Sequence, residues 1–144
     1  MRKQKNTFRK LDRGSHSVSE LTMHLVFVTK YRRKVFTTHV IRYLAWIFRN
    51  TCKKYGAKLI EFNGEDDHVH LLVRYVPKIP ISKLVMYLKG NASREIRKRK
   101  YPSITAKLWG EHLWSPSYFA GSCGGATIAK LRQYIEKQRA LECN

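Results

Sequence analysis

Two histidines separated by one residue, His68 and His70, are the side chains of this sequence best suited to chemistry. They belong to a largely apolar stretch, 66–73, bounded by turn-forming residues, and this pattern predicts a β-strand. Alternate side chains of a strand share a face, so the two imidazoles project together while Val69 and Leu71 point into a core. Such a pair could hold a divalent metal ion, although His-x-His also occurs by chance in strands.

Two carboxylates, Asp66 and Asp67, come directly before the histidines. On a continuous strand, Asp66 shares the face of His68, whereas Asp67 points to the opposite face. Asp66 is therefore a candidate for an additional ligand or for contact with a metal-bound water. Asp67 is left without a predicted role.

Tyr134 and Gln138 lie four residues apart in a helix predicted over about 126–141, so they are neighbours on one helix face. The spacing alone is also typical of a packing tyrosine with a solvated hydroxyl. A tyrosine can nevertheless attack a phosphodiester and become covalently attached, although its hydroxyl, with a pKa of about 10, is a weak nucleophile. A metal beside it would polarise the phosphate, and the amide oxygen of Gln138 could complete the ligand set.

The charge of the chain indicates a polyanionic partner. Its 144 residues carry 29 Lys and Arg against 10 Asp and Glu, a net charge of +19, which favours nucleic acid over an anionic membrane surface. The length predicts one domain over 18–144, preceded by a basic, flexible arm over 1–17. No apolar run is long enough to cross a bilayer. Three cysteines without metal-type spacing indicate reduced thiols in a cytoplasmic protein, which would be nucleoid-associated when it is bound to DNA.

The apolar periodicity predicts the elements β-α-β-β-α-β-α. Thr38 is expected to cap the first helix, Gly56 to end it, Asn63-Gly64 to form a hairpin turn and Pro102 to close the second helix. The remaining predicted elements are strands at about 21–29, 57–62 and 117–120. This order is the α+β, ferredoxin-like (RRM-like) βαββαβ sandwich with an additional C-terminal helix that carries Tyr134. Its first and third strands lie together at the centre of the sheet.

Basic residues form two further groups that we interpret as phosphate contacts rather than only as solvated faces. Nearby aromatic residues could stack on unpaired bases, although most of them are expected to be core or dimer contacts. The basic residues are Lys30, Arg32, Arg33 and Lys34 in the first group and Arg94, Arg97 and Lys98 in the second. The aromatic residues are Tyr31, Tyr87, Tyr101, Trp109 and Trp114.

Several stretches in one order resemble the single-tyrosine HUH transposases (TnpA) of the smallest bacterial and archaeal insertion sequences. They are 24–36 (HLVFVTKYRRKVF), 67–73 (DHVHLLV), 77–83 (PKIPISK), 87–90 (YLKG), 114–119 (WSPSYF) and 134–138 (YIEKQ). The resemblance covers residues 16–140 without a large gap. Its specificity comes from many motifs in register, not from the histidine pair alone.

The resemblance implies that His68, His70 and Gln138 are metal ligands and that Tyr134 is the nucleophile, which forms a 5′-phosphotyrosine. It also implies Mg²⁺ or Mn²⁺ as the cofactor, although imidazole ligands suit manganese better. Single-stranded DNA with subterminal hairpins is the implied substrate. The implied assembly is a homodimer in which the tyrosine helix of one subunit completes the site of the other, with Gly124-Gly125 as the joint.

Two alternatives stay open. A non-catalytic, RRM-like nucleic-acid-binding module would have the same fold and charge, although the third strand carries histidines where such modules carry aromatic residues. A domesticated relative that processes chromosomal repeat hairpins would have the same chemistry without transposition.

Overall fold

The computed structural model describes residues 21–108, 110, 112–123 and 133 of the chain. Its elements are β1 (Leu21–Thr29), α1 (Thr38–Lys54), β2 (Ala57–Gly64), β3 (His68–Tyr75), α2 (Ile81–Lys98), the short α3 (Pro102–Thr105) and β4 (Trp114–Ser122). These four strands form one antiparallel sheet in the order β2-β3-β1-β4. That is the strand order of the predicted ferredoxin-like fold, with β1 and β3 side by side at the centre.

The core lies between one face of the sheet and the two long helices. From β1, the odd-numbered residues Met23, Leu25 and Phe27 are buried there, and β3 contributes its own odd-numbered residues. Burial of each large apolar side chain stabilises the fold by about 1.5–3 kcal/mol. The helices and β3 supply Leu44, Phe48, Leu84, Leu88, Ile96, Val69, Leu71 and Val73. The even-numbered residues of β1 and β3 therefore project from the opposite face.

The hairpin between β2 and β3 turns later than predicted. Asn63 and Gly64, predicted to form the turn, are instead the last residues of β2, where they pair with β3. This pairing gives the backbone N–H and C=O groups of the two residues hydrogen-bond partners on β3, which they would lack if the chain turned at Asn63-Gly64. The chain bends at Asp66 and Asp67, so β3 begins at His68 rather than at Asp66.

The helix ends agree with the sequence only in part. The side chain of Thr37, not Thr38, caps α1 by accepting a hydrogen bond from the N–H of Val40 at 3.2 Å. Gly56 follows α1 with a φ of +76°, as expected of a glycine that ends a helix. Pro102 does not close α2 but begins α3, where a proline needs no helical hydrogen bond.

Several predictions lie outside the described residues: the arm over 1–17, Trp109, Gly124-Gly125, Tyr134 and Gln138. From the predicted last helix only Gln133 is described, and its backbone is helical. In the part of the chain that the structure describes, no helix combines the length and apolar character needed to span a bilayer.

Candidate functional site

His68 and His70 lie side by side on the sheet face that is turned away from the two long helices. Their ring centroids are 5.1 Å apart and the ring planes make an angle of 74°. Both residues are buried, His68 to 6% exposure and His70 to 0%. Because β3 is paired on both sides, by β1 and by β2, the backbone that carries the two imidazoles is held rigidly.

Asp67 contacts the nearer of the two imidazoles. Its Oδ1 lies 2.7 Å from Nδ1 of His68, and its Oδ2 accepts a hydrogen bond from Nε of Arg32 at 3.2 Å. Burial alone would raise the pKa of the Asp67 carboxyl, but the hydrogen bonds and positive charge of His68 and Arg32 outweigh it and hold the pKa below its usual value. Asp67 is therefore an ionised carboxylate that bridges an arginine and a histidine.

The expected directions of the two acidic side chains are wrong. Strand alternation would place Asp66 with His68 and Asp67 on the other face, whereas the structure brings Asp67 to His68 and leaves Asp66 exposed. The reason is that both acids lie in the bend before β3, where the alternation of a strand does not apply.

His24 on β1 contacts the second imidazole, a contact that was not predicted from the sequence. Its Nε2 lies 3.0 Å from Nδ1 of His70, with ring planes within 10° and centroids 5.2 Å apart. The nitrogens are therefore the nearest points of two almost coplanar rings, joined edge to edge rather than face to face. Burial lowers the pKa of His24 to about 4, so this imidazole is neutral near pH 7.

The strand register explains the contact of His24. Val26 pairs with His70 and His24 pairs with Leu72, so His24 and His70 are diagonal neighbours on one sheet face. The predicted adjacency of the first and third strands indicates that a residue of β1 could contact the pair, but the register that selects His24 does not follow from the sequence.

The turn after β1 positions Arg32. Tyr31 and Arg32 have φ values of 58° and 52°, a left-handed conformation that is uncommon for residues other than glycine. Thr29 supports the turn, because its hydroxyl donates to the carbonyl of Arg33 at 2.8 Å and its N–H donates to the carbonyl of Asp67 at 2.9 Å. The same bonds tie the bend before β3 to the end of β1.

The first basic group surrounds an exposed aromatic ring. Tyr31 is 64% exposed, with Nζ of Lys30 at 5.3 Å and the guanidinium carbon of Arg33 at 5.6 Å from its ring centroid. Arg32, Arg33 and Lys34 are exposed and Lys30 is half-buried. The arrangement offers phosphate contacts beside a ring on which a base can stack.

The second basic group lies at the end of α2. Arg94 hydrogen-bonds to Asn91, Lys98 forms an ion pair with Glu95 at 3.5 Å, and Arg97 is half-buried. The chain that follows α2 contacts the backbone at Lys34, the last residue of the first basic group, and at Val35. Ser103 Oγ donates to the carbonyl of Val35 at 2.8 Å, and Lys107 Nζ donates to that of Lys34 at 3.4 Å.

The donor set at the histidine pair fits a divalent first-row metal ion. Two imidazoles converge on a rigid strand, and nitrogen donors of this kind suit Mn²⁺ and Zn²⁺ better than Mg²⁺. Among the described residues, no group of three or more His, Cys, Asp and Glu side chains could hold a metal. The predicted third ligand, Gln138, is an amide and lies outside the described residues.

The family model that describes IS200-like transposases matches residues 17–138 of the chain. The ISDra2 transposase TnpA of Deinococcus radiodurans is 35% identical over 132 residues, which are 92% of this chain and 94% of that protein. The transposase for insertion sequence element IS200 of Salmonella typhimurium is 29% identical over 124 residues, which are 86% and 80% of the two chains.

Two solved structures are similar to this one. A crystal structure of a transposase from Deinococcus radiodurans superposes with a TM-score of 0.69 at 34% identity, covering 88% of this chain and 96% of that one. A REP-associated tyrosine transposase bound to a REP hairpin gives a TM-score of 0.58 at 10% identity, covering 85% and 67%. At that identity, the second similarity shows the shared fold alone.

Proposed function

The chain belongs to the family of IS200-like transposases, and we propose that it is a metal-dependent enzyme that nicks and rejoins single-stranded DNA. The observation that carries the proposal is the pair of buried imidazoles, 5.1 Å apart on the central strand β3. A domain that only binds nucleic acid has no need of two histidines held rigidly beside a carboxylate.

In the proposed reaction, Tyr134 attacks the scissile phosphorus. The phenol loses its proton as the new O–P bond forms, and the bond to the 3′ oxygen breaks, leaving a 5′-phosphotyrosine and a free 3′-hydroxyl. The phosphotyrosine conserves the bond energy, so a 3′-hydroxyl can later attack it and rejoin the strand. His68, His70 and Gln138 would hold Mg²⁺ or Mn²⁺, which when bound polarises the phosphate and stabilises its developing charge.

The DNA is proposed to lie across the two basic groups. A relative with the same fold was solved with a REP hairpin. Here Lys30 and Arg33 flank the exposed ring of Tyr31, and further exposed cations lie at the end of α2. Subterminal hairpins of an insertion sequence are the proposed substrates. Such an enzyme would act on nucleoid DNA in the cytoplasm.

The test is incubation with single-stranded DNA from the element ends and Mn²⁺ or Mg²⁺, followed by a denaturing gel. We expect a covalent protein–DNA species that disappears when metal is chelated and in the variants Tyr134→Phe and His68→Ala. Tyr55→Phe, at the end of α1, is the matched control and should retain the species. DNA retardation on a native gel without a covalent species, at any metal concentration, would favour the non-catalytic module.

The proposed homodimer, with each site completed by its partner's tyrosine helix, is tested by mixing two inactive proteins. One carries His68→Ala and the other Tyr134→Phe. Mixed dimers regain covalent attachment if the tyrosine acts in the partner's site, and stay inactive if it acts within its own subunit.

A domesticated relative that processes repeat hairpins is the second candidate. The hairpin in the distant structural relative favours it. It predicts that the gene lies outside any pair of element ends, which the flanking DNA shows directly.

A further inference from the structure

An imidazole binds a metal only through a ring nitrogen that carries no proton. In neutral histidine one nitrogen is protonated and the other is not, and the hydrogen bond made by one nitrogen determines which of them can act as the ligand. A site with two histidine ligands therefore needs both rings in the correct tautomer before the metal arrives.

From the contacts of the two rings we infer that Asp67 and His24 are positioning residues, which engage Nδ1 of His68 and His70 so that both rings present Nε2 to the metal. The inference rests on the proposed metal site, and it gives a role to an acid and a histidine that no motif assigned.

The role of Asp67 follows from the geometry of its two contacts. Nε of Arg32 can only donate and lies on Oδ2, and a carboxylate that pairs with an arginine accepts hydrogen bonds through its other oxygen as well, so Nδ1 of His68, at 2.7 Å from Oδ1, is the donor. The unprotonated nitrogen of His68 is then Nε2. Arg32 holds the other carboxylate oxygen at 3.2 Å, and Thr29 holds the backbone of Asp67, so the carboxylate cannot easily turn away.

The proposed role of His24 depends on the direction of its hydrogen bond with His70. If Nδ1 of His70 donates to Nε2 of His24 across the 3.0 Å contact, the lone pair of His70 lies on Nε2. The opposite direction would protonate Nε2 of His70 and block it as a ligand. His24 must therefore be protonated on Nδ1, and its burial to 1% exposure against the ring of Phe119 holds it in place for this role.

Asp66 provides a matched control for the charge of Asp67. It is the adjacent acid in the same bend, but its side chain is exposed. A purely electrostatic effect of a nearby carboxylate would appear at both positions, whereas orientation of His68 through a hydrogen bond is specific to Asp67.

The experiment uses the full chain labelled with ¹⁵N and three readouts. Long-range ¹H–¹⁵N spectra without metal report which nitrogen of each histidine is protonated, calorimetric titration reports the affinity for Mn²⁺, and thermal unfolding without metal reports folding. We expect His68 and His70 protonated on Nδ1 and His24 also on Nδ1 in the unsubstituted protein.

Asp67→Ala should weaken Mn²⁺ binding by about 10- to 100-fold and mix the tautomers of His68, whereas Asp66→Ala changes the affinity less than about threefold. Asp67→Asn, which retains an acceptor oxygen, should restore part of the affinity. His24→Phe should mix the tautomers of His70. If Asp67→Ala does not fold, the Mn²⁺ affinities of Asp67→Asn and Asp66→Asn are compared instead, and Asp67→Asn is expected to bind Mn²⁺ more weakly.

Equal Mn²⁺ affinity in the Asp67 and Asp66 variants, or His68 protonated on Nε2 in the unsubstituted protein, would overturn the inference. A different result would contradict the proposed metal site. In that case the unsubstituted protein would show the stated tautomers, but it would bind Mn²⁺ no more tightly than the His68→Ala variant does.

Discussion

Lys89 on α2 and Trp114 at the start of β4 each donate a hydrogen bond to the backbone of the other's segment. Nζ of Lys89 donates to the carbonyl of Ser115 at 2.7 Å, and Nε1 of Trp114 donates to the carbonyl of Lys89 at 3.2 Å. The indole also packs edge-on against Phe27 and Phe36. These two hydrogen bonds fix α2 against the start of β4. Trp114 lies in the core, which is one of the roles that the sequence left open for it.

Replacing Lys89 with methionine should lower the free energy of unfolding by about 1–2 kcal/mol, because the hydrogen bonds of its charged group to the carbonyls of Ser115 and Ser117 are lost while the aliphatic stem is kept. Lys83→Met, on the exposed side of the same helix, is the control and should stay within about 0.5 kcal/mol. Urea denaturation measures both. Equal effects would show that the Lys89 bonds contribute nothing specific.

A larger residue at position 64 would have to displace the side chain of Ile41. A methyl group on the Cα of Gly64 would come within 2.3 Å of the side chain of Ile41 on α1. Gly64→Ala should therefore destabilise the protein by about 1–3 kcal/mol through overpacking. The double variant with Ile41→Ala should recover part of that loss, and a double-mutant cycle in urea measures the coupling. Strict additivity of the two changes would contradict the contact.

Cys52 should be chemically inert in the folded protein. Burial raises the pKa of its thiol to about 12, so at pH 8 it carries almost no reactive thiolate. In a protein with Cys123→Ser and Cys143→Ser, we expect a thiol reagent to label Cys52 only after unfolding by urea. Labelling at the rate of the unfolded protein under native conditions would contradict the buried position.

Removing charge at the first basic group should reduce the salt dependence of binding to single-stranded DNA. If Arg33 and Lys34 each neutralise one phosphate, the double change to glutamine lowers the slope of log K against log salt concentration by about 1.4. Lys53 and Lys54 are the matched control pair, since both are exposed at the opposite end of α1. Fluorescence anisotropy over a salt series measures the slopes, and equal slopes for the two double variants would exclude a specific contact at Arg33 and Lys34.

The fold could be predicted from the sequence because the residue patterns that indicate its strands and helices are local. Alternating apolar residues identified β1, helical spacing identified α1 and α2, and the order of elements led to the sheet order that the structure has. The predictions of element ends were wrong where neighbouring residues are equally suited to form a helix cap or a turn. Thr37 and Thr38 are equally good helix caps in sequence, and Asn63-Gly64 is a good hairpin turn that longer strand pairing displaced.

At the candidate site, the sequence alone determined that His68 and His70 share a face, because alternation along one strand needs no knowledge of any other element. Only the tertiary structure decided what surrounds them. His24 reaches His70 through a strand register set 46 residues away in sequence, and Asp67 reaches His68 because the chain bends before β3 begins. Register and bend depend on the packing of the whole sheet, and side-chain contacts follow from them.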